Sequence, residues 1–219
     1  MKTIKLKLIV TNFILAASLG IFAGCASHSY DKGAATATAL QSSADQIAEA
    51  STKVNDTLAA LNNLTFKSQG DLRDQFDAFS SSIKKLDTTT ADLDVKIAEM
   101  QNKAQAYIDS WNSHMTNIQS EDLRQRSAQR KDEVDAKLKA VADSYQGVKN
   151  SFKPFMTDLK DIQTYLGTDL TAGGLASIKD VVSKTKTDAV PLRDSIKKLQ
   201  SDCRDLSSAL SPVMPGENK

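Results

Sequence analysis

Four basic side chains cluster in the second half of this chain: Arg124, Arg126, Arg130 and Lys131. Guanidinium and ammonium groups bind carboxylates and phosphates. The cluster lies at the start of a predicted helix, where the helix dipole disfavours positive charge, and only nearby acids offset it: Glu121, Asp122 and Asp132. Two interpretations stay open. The cluster is either a solvated helix face with paired charges or a docking site for an anionic lipid head group or an acidic partner protein.

Cys25 is the second residue with a specific chemistry. It follows the small residues Ala23 and Gly24, which end an apolar stretch behind a lysine-rich start. A charged start, a short apolar run and a small-residue exit are typical of a secretory signal. Small residues directly before a cysteine are similar to the bacterial lipobox, in which the thiol is acylated. We predict a lipoprotein signal peptide over residues 1–24 and lipidation at Cys25; the alternative is an ordinary secretory signal with a chance cysteine.

The last residue, Lys219, follows a segment that contains Pro215 and Gly216. A terminal lysine behind a helical chain with an acylated N-terminus is similar in type to the Braun-type lipoprotein, whose lysine is joined to peptidoglycan. The residues that flank Lys219 do not match the basic ending of that protein. Covalent attachment at Lys219 is therefore a minor hypothesis, and an ordinary chain end is the expected case.

Other residues that often carry chemistry lack the neighbours they need. His28 and His114 have no second histidine or cysteine three or four residues away, so we predict no metal site. Asp92 and Asp94 face different sides of a helix and form no acid–base pair. Cys203 lies at an apolar helix position, which predicts a buried core residue and not a reactive thiol. We predict no catalytic residue, no cofactor and no enzyme activity.

The charge balance argues against nucleic acid as a partner. The chain has 28 basic and 27 acidic residues, and removal of the leader would take three lysines from the basic side: Lys2, Lys5 and Lys7. The mature chain would then be slightly acidic, with no surplus for phosphate contacts. Aromatic residues make up only 5% of the chain, and glycine and proline are scarce. This composition is typical of long helices with narrow apolar faces.

Apolar residues recur with alternating steps of three and four residues, the period of supercoiled helices. This pattern predicts helices over residues 34–66, 72–118, 121–166 and 171–210. Gly70 and Asp71 suit a turn and a helix cap, and Ser120 suits another cap. Pro154 is expected to kink the third helix without ending it, and Pro191 is expected to kink or briefly interrupt the fourth. The apolar rhythm is longest in the second helix, where it runs through Phe76, Phe79, Ile83, Leu86, Thr90, Leu93, Ile97, Met100, Ala104, Tyr107, Trp111 and His114.

Short turns between long helices predict an all-α, elongated antiparallel helical bundle. We expect three long helices to close a spectrin-like bundle, with an N-terminal helix lying along it. The predicted organisation is a signal peptide over residues 1–24, a tether over 25–33, one helical-bundle domain over 34–211 and a tail over 212–219.

Part of the chain resembles a known family. Trp111 lies near the end of one long helix, the pair Leu123 and Arg124 opens the next with Ser127 shortly after, and Pro154 lies in an aromatic stretch. From Tyr107 to about Ala209 these features resemble the bacterial family known as domain of unknown function 2959, a group of uncharacterised coiled-coil envelope proteins. The resemblance implies a coiled-coil-like fold and a proteobacterial envelope setting. It implies no activity, because the family has none assigned.

The expected function follows from the anchor and the fold. Ala26, and not the aspartate that often signals inner-membrane retention, follows Cys25, so we expect an outer-membrane lipoprotein that faces the periplasm. Its bundle is expected to act as a spacer, scaffold or adaptor with an envelope protein partner or a second copy of itself. The alternative is a binding module for a lipid or other hydrophobic ligand. Such a module should show a gap lined by small residues: Thr90, Ala104, Thr185 and Ala189.

Overall fold

The structure, a computed structural model of the chain, describes residues 29–212. Their backbone forms five α-helices and no strand: α1 Ser29–Phe66, α2 Leu72–Met115, α3 Glu121–Thr168, α4 Ala172–Ser177 and α5 Lys179–Leu210. The predicted signal peptide, Cys25, His28 and Lys219 lie outside the described residues. The helices can therefore be compared with the predicted ones, whereas the anchor and the attachment at Lys219 stay predictions.

Two of the turns between helices have the chemistry that the sequence predicts. Gly70 has a φ of 68°, a left-handed conformation that glycine adopts without a steric cost. Asp71 then caps α2 by accepting a hydrogen bond from the backbone N–H of Arg73. Hydrogen bonds from the Arg73 side chain and backbone lower the pKa of Asp71 to about 2, so the cap is ionised at neutral pH. Ser120 caps α3 in the same way, through the N–H of Leu123.

The first helix begins earlier than predicted. It starts at Ser29 and not near Ala34, so the second half of the predicted tether over residues 25–33 is helical. Packing explains the extension, because Gly33 is buried and a Cβ at its position would lie only 3.1 Å from Cε2 of Tyr107. The helix therefore packs directly against α2 from Gly33 onward, about one turn after its start. Periodicity could not show this, because glycine and alanine carry little apolar signal of their own.

The predicted fourth helix is divided at Ile178 and not at Pro191. Helix α5 runs unbroken from Lys179 to Leu210 with Pro191 inside it, and α3 runs unbroken through Pro154. The short helix α4 precedes α5, and the Thr171 side chain caps it by accepting from the N–H of Gly174. The interruption thus lies one turn after Gly174 and well before Pro191, whose ring is accommodated on an exposed face of α5.

The four long helices form an antiparallel bundle, which confirms the predicted fold class. Helix α1 packs extensively against both α2 and α5, α3 packs against α5, and α2 and α3 make the thinnest of these interfaces. Helix α1 is therefore a full member of a four-helix ring, where the sequence had suggested an addition to a three-helix core. The reason lies in its apolar face, since Leu40, Leu61 and Leu64 are each 0% exposed.

Side chains from all four long helices and from α4 meet in one continuous apolar core. Phe79 and Phe155 are among the largest side chains that it buries completely. Three buried threonines, Thr36, Thr57 and Thr185, donate to the carbonyl four residues earlier, as at Thr57, whose hydroxyl lies 2.8 Å from the carbonyl oxygen of Lys53. The buried hydroxyl of Thr65 has no hydrogen-bond partner. A cavity lined by Ile47, Leu93 and neighbouring core residues has a volume of only about 10 Å³. It has no room for a ligand, because even one water needs roughly 10–15 Å³.

Candidate functional site

The antiparallel topology brings four chain segments to one end of the bundle: the start of α1, the end of α2, the start of α3 and the end of α5. We call this the anchor end, because only residues 26–28 separate the predicted lipidation site Cys25 from α1. The predicted basic cluster lies at the same end, in the first turns of α3. Residues that are far apart in sequence therefore share one candidate interaction site.

Each of the four predicted docking residues has an acidic partner on its own helix. Arg124 pairs with Glu121, and the Nε of Arg126 lies 2.9 Å from Oδ2 of Asp122. Arg130 pairs with Glu133 at 2.8 Å, and Lys131 pairs with Asp135 at 2.8 Å. Hydrogen bonds from Gln125 and then from Arg124 lower the pKa of Glu121, whereas the hydrogen bond to Asp135 raises the pKa of Lys131. Each basic side chain of the cluster thus forms an ion pair along α3, so the cluster has no large unpaired positive charge.

Arg130 also has a long-range partner. Its Nη2 donates to the carbonyl of Ala209 at 3.0 Å, in the last turn of α5. The carbonyls of a last helical turn lack intrahelical partners, and the helix dipole favours a cation there. Arg130 therefore ties α3 to the end of α5, which explains why a charged residue can occupy an otherwise apolar helix position.

We expect the replacement Arg130→Met to lower the free energy of unfolding by about 1 kcal/mol, since it removes a partly exposed, charge-assisted hydrogen bond to a helix end. Urea unfolding followed by circular dichroism measures the effect. The matched control is Arg126→Met, because Arg126 is 71% exposed and pairs only with Asp122. That control should change stability by less than about 0.5 kcal/mol. Equal losses in the two variants would show that Arg130 acts as an ordinary surface charge.

A side-chain hydrogen bond joins α2 to α3 at the anchor end. The Nε1–H of Trp111 donates to Oγ of Ser127 at 2.8 Å, and the Trp111 ring lies 5.4 Å from the ring of Tyr107. The apolar rhythm includes Trp111 and the family resemblance includes Ser127, but neither pattern paired the two residues. A signal was available, because both residues lie eight positions from Gln119, which is in the turn that connects the two helices.

Beyond this bond, α2 and α3 continue as a protruding hairpin. Within residues 112–126, which we call the hairpin tip, Met115 and Ile118 are half-buried and all other residues are exposed. Leu123 belongs by its spacing to the apolar rhythm of the third predicted helix, but it is 57% exposed. The reason is that neither α1 nor α5 reaches far enough to cover it. His114, which the apolar rhythm of the second helix includes, is likewise exposed, and its Nδ1 lies 2.8 Å from the carbonyl oxygen of Ser110.

The thin interface between α2 and α3 leaves two shallow grooves on the side of the bundle. One has a volume of about 270 Å³ and is lined by residues that include Met100, Ala104 and Leu138. The other, of about 410 Å³, includes Thr90, Phe152 and Lys153. Thr90 and Ala104 thus line open grooves, as the ligand-binding hypothesis requires. Thr185 and Ala189 instead lie in the filled core, at 1% and 0% exposure.

A family model with the description "Protein of unknown function (DUF2959)" matches residues 24–208. The chain belongs to this family. The family resemblance that was predicted from Trp111, Leu123, Ser127 and Pro154 is thereby confirmed. No curated protein and no solved structure matches the chain significantly.

The family match covers more of the chain than the resemblance did. It begins at Gly24, directly before Cys25, and ends at Ser208, so it includes α1 to α4 and nearly all of α5. Helix α1, with Gly33 and its contact to Tyr107, is therefore part of the DUF2959 region. Lys219 lies beyond the match. The description of the family assigns no activity, so the function must be argued from the geometry.

The remaining candidate residues of this DUF2959 member show little sign of reactivity. Cys203 is 0% exposed, and burial raises the pKa of its thiol to about 12, so the thiolate is scarce at neutral pH. Within residues 29–212 no group of three or more His, Cys, Asp or Glu side chains is placed to hold a metal ion. None of the helices in that range combines the length and the apolarity that crossing a membrane requires.

Proposed function

We propose that this chain is a lipid-anchored envelope lipoprotein whose helical bundle acts as a rigid spacer or scaffold facing the periplasm. The observation that carries the proposal is the position of α1. Its first residue, Ser29, follows Cys25 after only three residues, and Gly33, about one turn further along α1, packs against Tyr107. An acyl chain on Cys25 would therefore hold the bundle by a short connection, so the orientation and the position of the bundle would be restricted.

The dimensions and the packing of the bundle suit a spacer. Helix α3 has 48 residues, which at about 1.5 Å per residue corresponds to a rod of roughly 70 Å. The core is filled, and the cavity near Ile47 has a volume of only about 10 Å³. A rod that holds a fixed distance needs such packing, because long helices gain most of their stability from it. The outer membrane is the proposed location, since Ala26 and not an aspartate follows Cys25.

The anchor is tested by expressing the full chain beside a Cys25→Ala variant. We expect the mature wild-type protein to begin at Cys25, to carry acyl chains detectable by mass spectrometry and to fractionate with the outer membrane. The variant should lose the acyl mass and leave the membrane fraction, because about 0.8 kcal/mol per buried CH₂ group is lost with each chain. A mature wild-type N-terminus without acyl groups would overturn the proposal.

The role is tested by crosslinking in cells, again with Cys25→Ala as the control. A single dominant envelope protein that crosslinks to the wild type and not to the variant supports an adaptor or scaffold. Crosslinks between copies of the chain alone support a self-associating spacer.

The grooves between α2 and α3 support a second candidate, the binding of an extended hydrophobic ligand. Ala104 and Thr90 leave space at the surface there, whereas the core beneath is closed. The wild-type protein, purified without detergent and analysed by native mass spectrometry, distinguishes the two candidates. A stoichiometric lipid that is bound in addition to the acyl anchor would favour the binding module.

A further inference from the structure

The hairpin tip extends past its neighbours in the direction of the predicted anchor. Met115 lies about 12 Å along α2 beyond Tyr107, whereas Ser29 lies only about 6 Å along α1 beyond Gly33, the contact partner of Tyr107. On the other side of the hairpin, α5 ends at Leu210, next to the contact between Arg130 and Ala209, while α3 reaches back to Glu121. The tip therefore extends roughly 5–10 Å beyond the ends of α1 and α5.

The length of chain before α1 limits where a lipid surface can lie. From Cys25 to Ser29 a fully extended backbone spans at most about 14 Å. If acyl chains on Cys25 enter a bilayer, the anchor end lies within that distance of the head groups. The tip extends roughly 5–10 Å further in the same direction, so it lies at most about 4–9 Å from the lipid surface when those residues are fully extended, and it reaches the surface when they are less extended.

The exposed chemistry of the tip suits that surface. Leu123 lies one helical turn before Ser127, and Met115 lies one turn after Trp111, so both continue the faces that the Trp111–Ser127 bond joins. Ile118 adds an apolar side chain in the turn. Tryptophan is enriched at membrane interfaces, and arginine side chains can lie along apolar surface with the charge in water. Arg124 and Arg126, with their acidic partners, border the apolar side chains.

We propose that the hairpin tip inserts its apolar residues into the surface of the membrane that carries the anchor. This proposal rests on the proposed lipidation of Cys25. Because the arginines are paired, the attraction comes from apolar burial and not from a net positive charge. A weak contact suffices, since the anchor keeps the tip at a high effective concentration near the lipid. The bundle is then held at two points, the anchor and the tip, and stands in a defined orientation.

Trp111 is the single tryptophan of the chain and lies at the base of the tip, so its fluorescence reports contact with lipid. The full lipidated protein is reconstituted into vesicles of phosphatidylethanolamine and phosphatidylglycerol with brominated acyl chains, which quench tryptophan. We expect marked quenching in the wild type. The variant Leu123→Asp should lose roughly half or more of it, because binding at an interface scales with the buried apolar area.

The matched control is Val95→Asp, because Val95 and Leu123 are both 57% exposed but Val95 lies midway along α2. Leu123→Asp should leave the fold intact, since an acidic residue in the first turn of a helix is favourable; circular dichroism checks this. Unchanged quenching in Leu123→Asp, or equal losses in both variants, would overturn the proposal. A third result would also overturn the proposal: no quenching in the wild type, together with a protein crosslink that is lost in Leu123→Asp. The tip would then bind a protein partner and not lipid.

The experiments distinguish a chain that is not acylated at Cys25 from a hairpin tip that does not contact lipid. Flotation with the vesicles and the mass of the protein report acylation, whereas Trp111 quenching reports the position of the tip. A chain that floats without quenching retains the anchor and refutes the tip contact. If no acylation is found, a Cys25→Ala chain with an N-terminal histidine tag is held on vesicles that contain nickel-chelating lipid. If the tagged chain shows quenching and Leu123→Asp reduces it, the contact between tip and lipid is supported. If the tagged chain shows no such quenching, the contact is refuted.

Discussion

Replacement of Phe79 by alanine will lower the free energy of unfolding by about 3–5 kcal/mol, the range typical of a phenylalanine removed from a protein core. Phe79 lies in α2 and is 0% exposed within the continuous core. The loss combines the transfer free energy of the missing ring with the cavity that remains, because well-packed neighbours relax only in part. Urea unfolding measures it, with circular dichroism for the helices and Trp111 fluorescence for the anchor end.

The control for this prediction is Phe66→Ala, which removes the same side chain from the end of α1. Phe66 is 44% exposed, and its ring faces the ammonium groups of Lys179 at 6.0 Å and Lys186 at 5.4 Å. Cation–π contacts at exposed sites contribute about 0.5–1 kcal/mol, so the variant should lose about 1 kcal/mol. If both variants lost the same free energy, the assignment of Phe79 to the core would be wrong.

The helices could be predicted from the sequence because their signals are local. The alternation of apolar steps through Phe79, Ile83 and Leu86 marks the buried face of α2, and Gly70 and Asp71 mark the turn before it. Each signal depends on residues within one or two helical turns. The family could also be predicted from the sequence, since each feature that carries the resemblance involves residues that are close together in the chain.

The arrangement of the helices depends on contacts that the sequence pattern does not encode. The start of α1 is fixed by Gly33 against Tyr107, which is far away in the chain. All the helices have a narrow apolar face, so periodicity alone could not show that α1 packs against both α2 and α5. A ring of four helices and a three-helix core with an added helix satisfy the same pattern. The difference lies in how well particular side chains pack.

Only part of the candidate site could be predicted, because only some of its contacts join residues that are close in sequence. The basic cluster was visible in the sequence, and so were several acids at distances of three or four residues along the helix. The contact from Arg130 to the carbonyl of Ala209 was not visible, because it joins residues on different helices. The exposure of Leu123 also depends on where α1 and α5 end. The function of the anchor end is therefore a question of helix lengths as much as of residue types.

The adjacent glycines of α4 should respond in opposite directions to the same substitution. Gly174→Ala is expected to lower the free energy of unfolding by about 1–3 kcal/mol, because added atoms in a packed site force the backbone to shift. Its new Cβ would lie 2.2 Å from the backbone oxygen of Asp169, which no side-chain rotation can relieve. Gly174 is also buried, and its N–H donates to the Thr171 cap, so a shift disturbs the start of α4.

Gly173→Ala is the matched control, since its Cβ would meet Thr171 Oγ1 at 3.6 Å, an ordinary contact on an exposed face. Alanine restricts the unfolded chain more than glycine does, so this variant should gain about 0.4–1 kcal/mol. Urea unfolding of the two variants in parallel shows directly whether each substitution raises or lowers the free energy of unfolding. A loss in both would show that α4 needs flexible backbone at each position. A gain in both would show that the turn between Asp169 and Gly174 can open without cost, and that the break at Ile178 has another origin than this close approach.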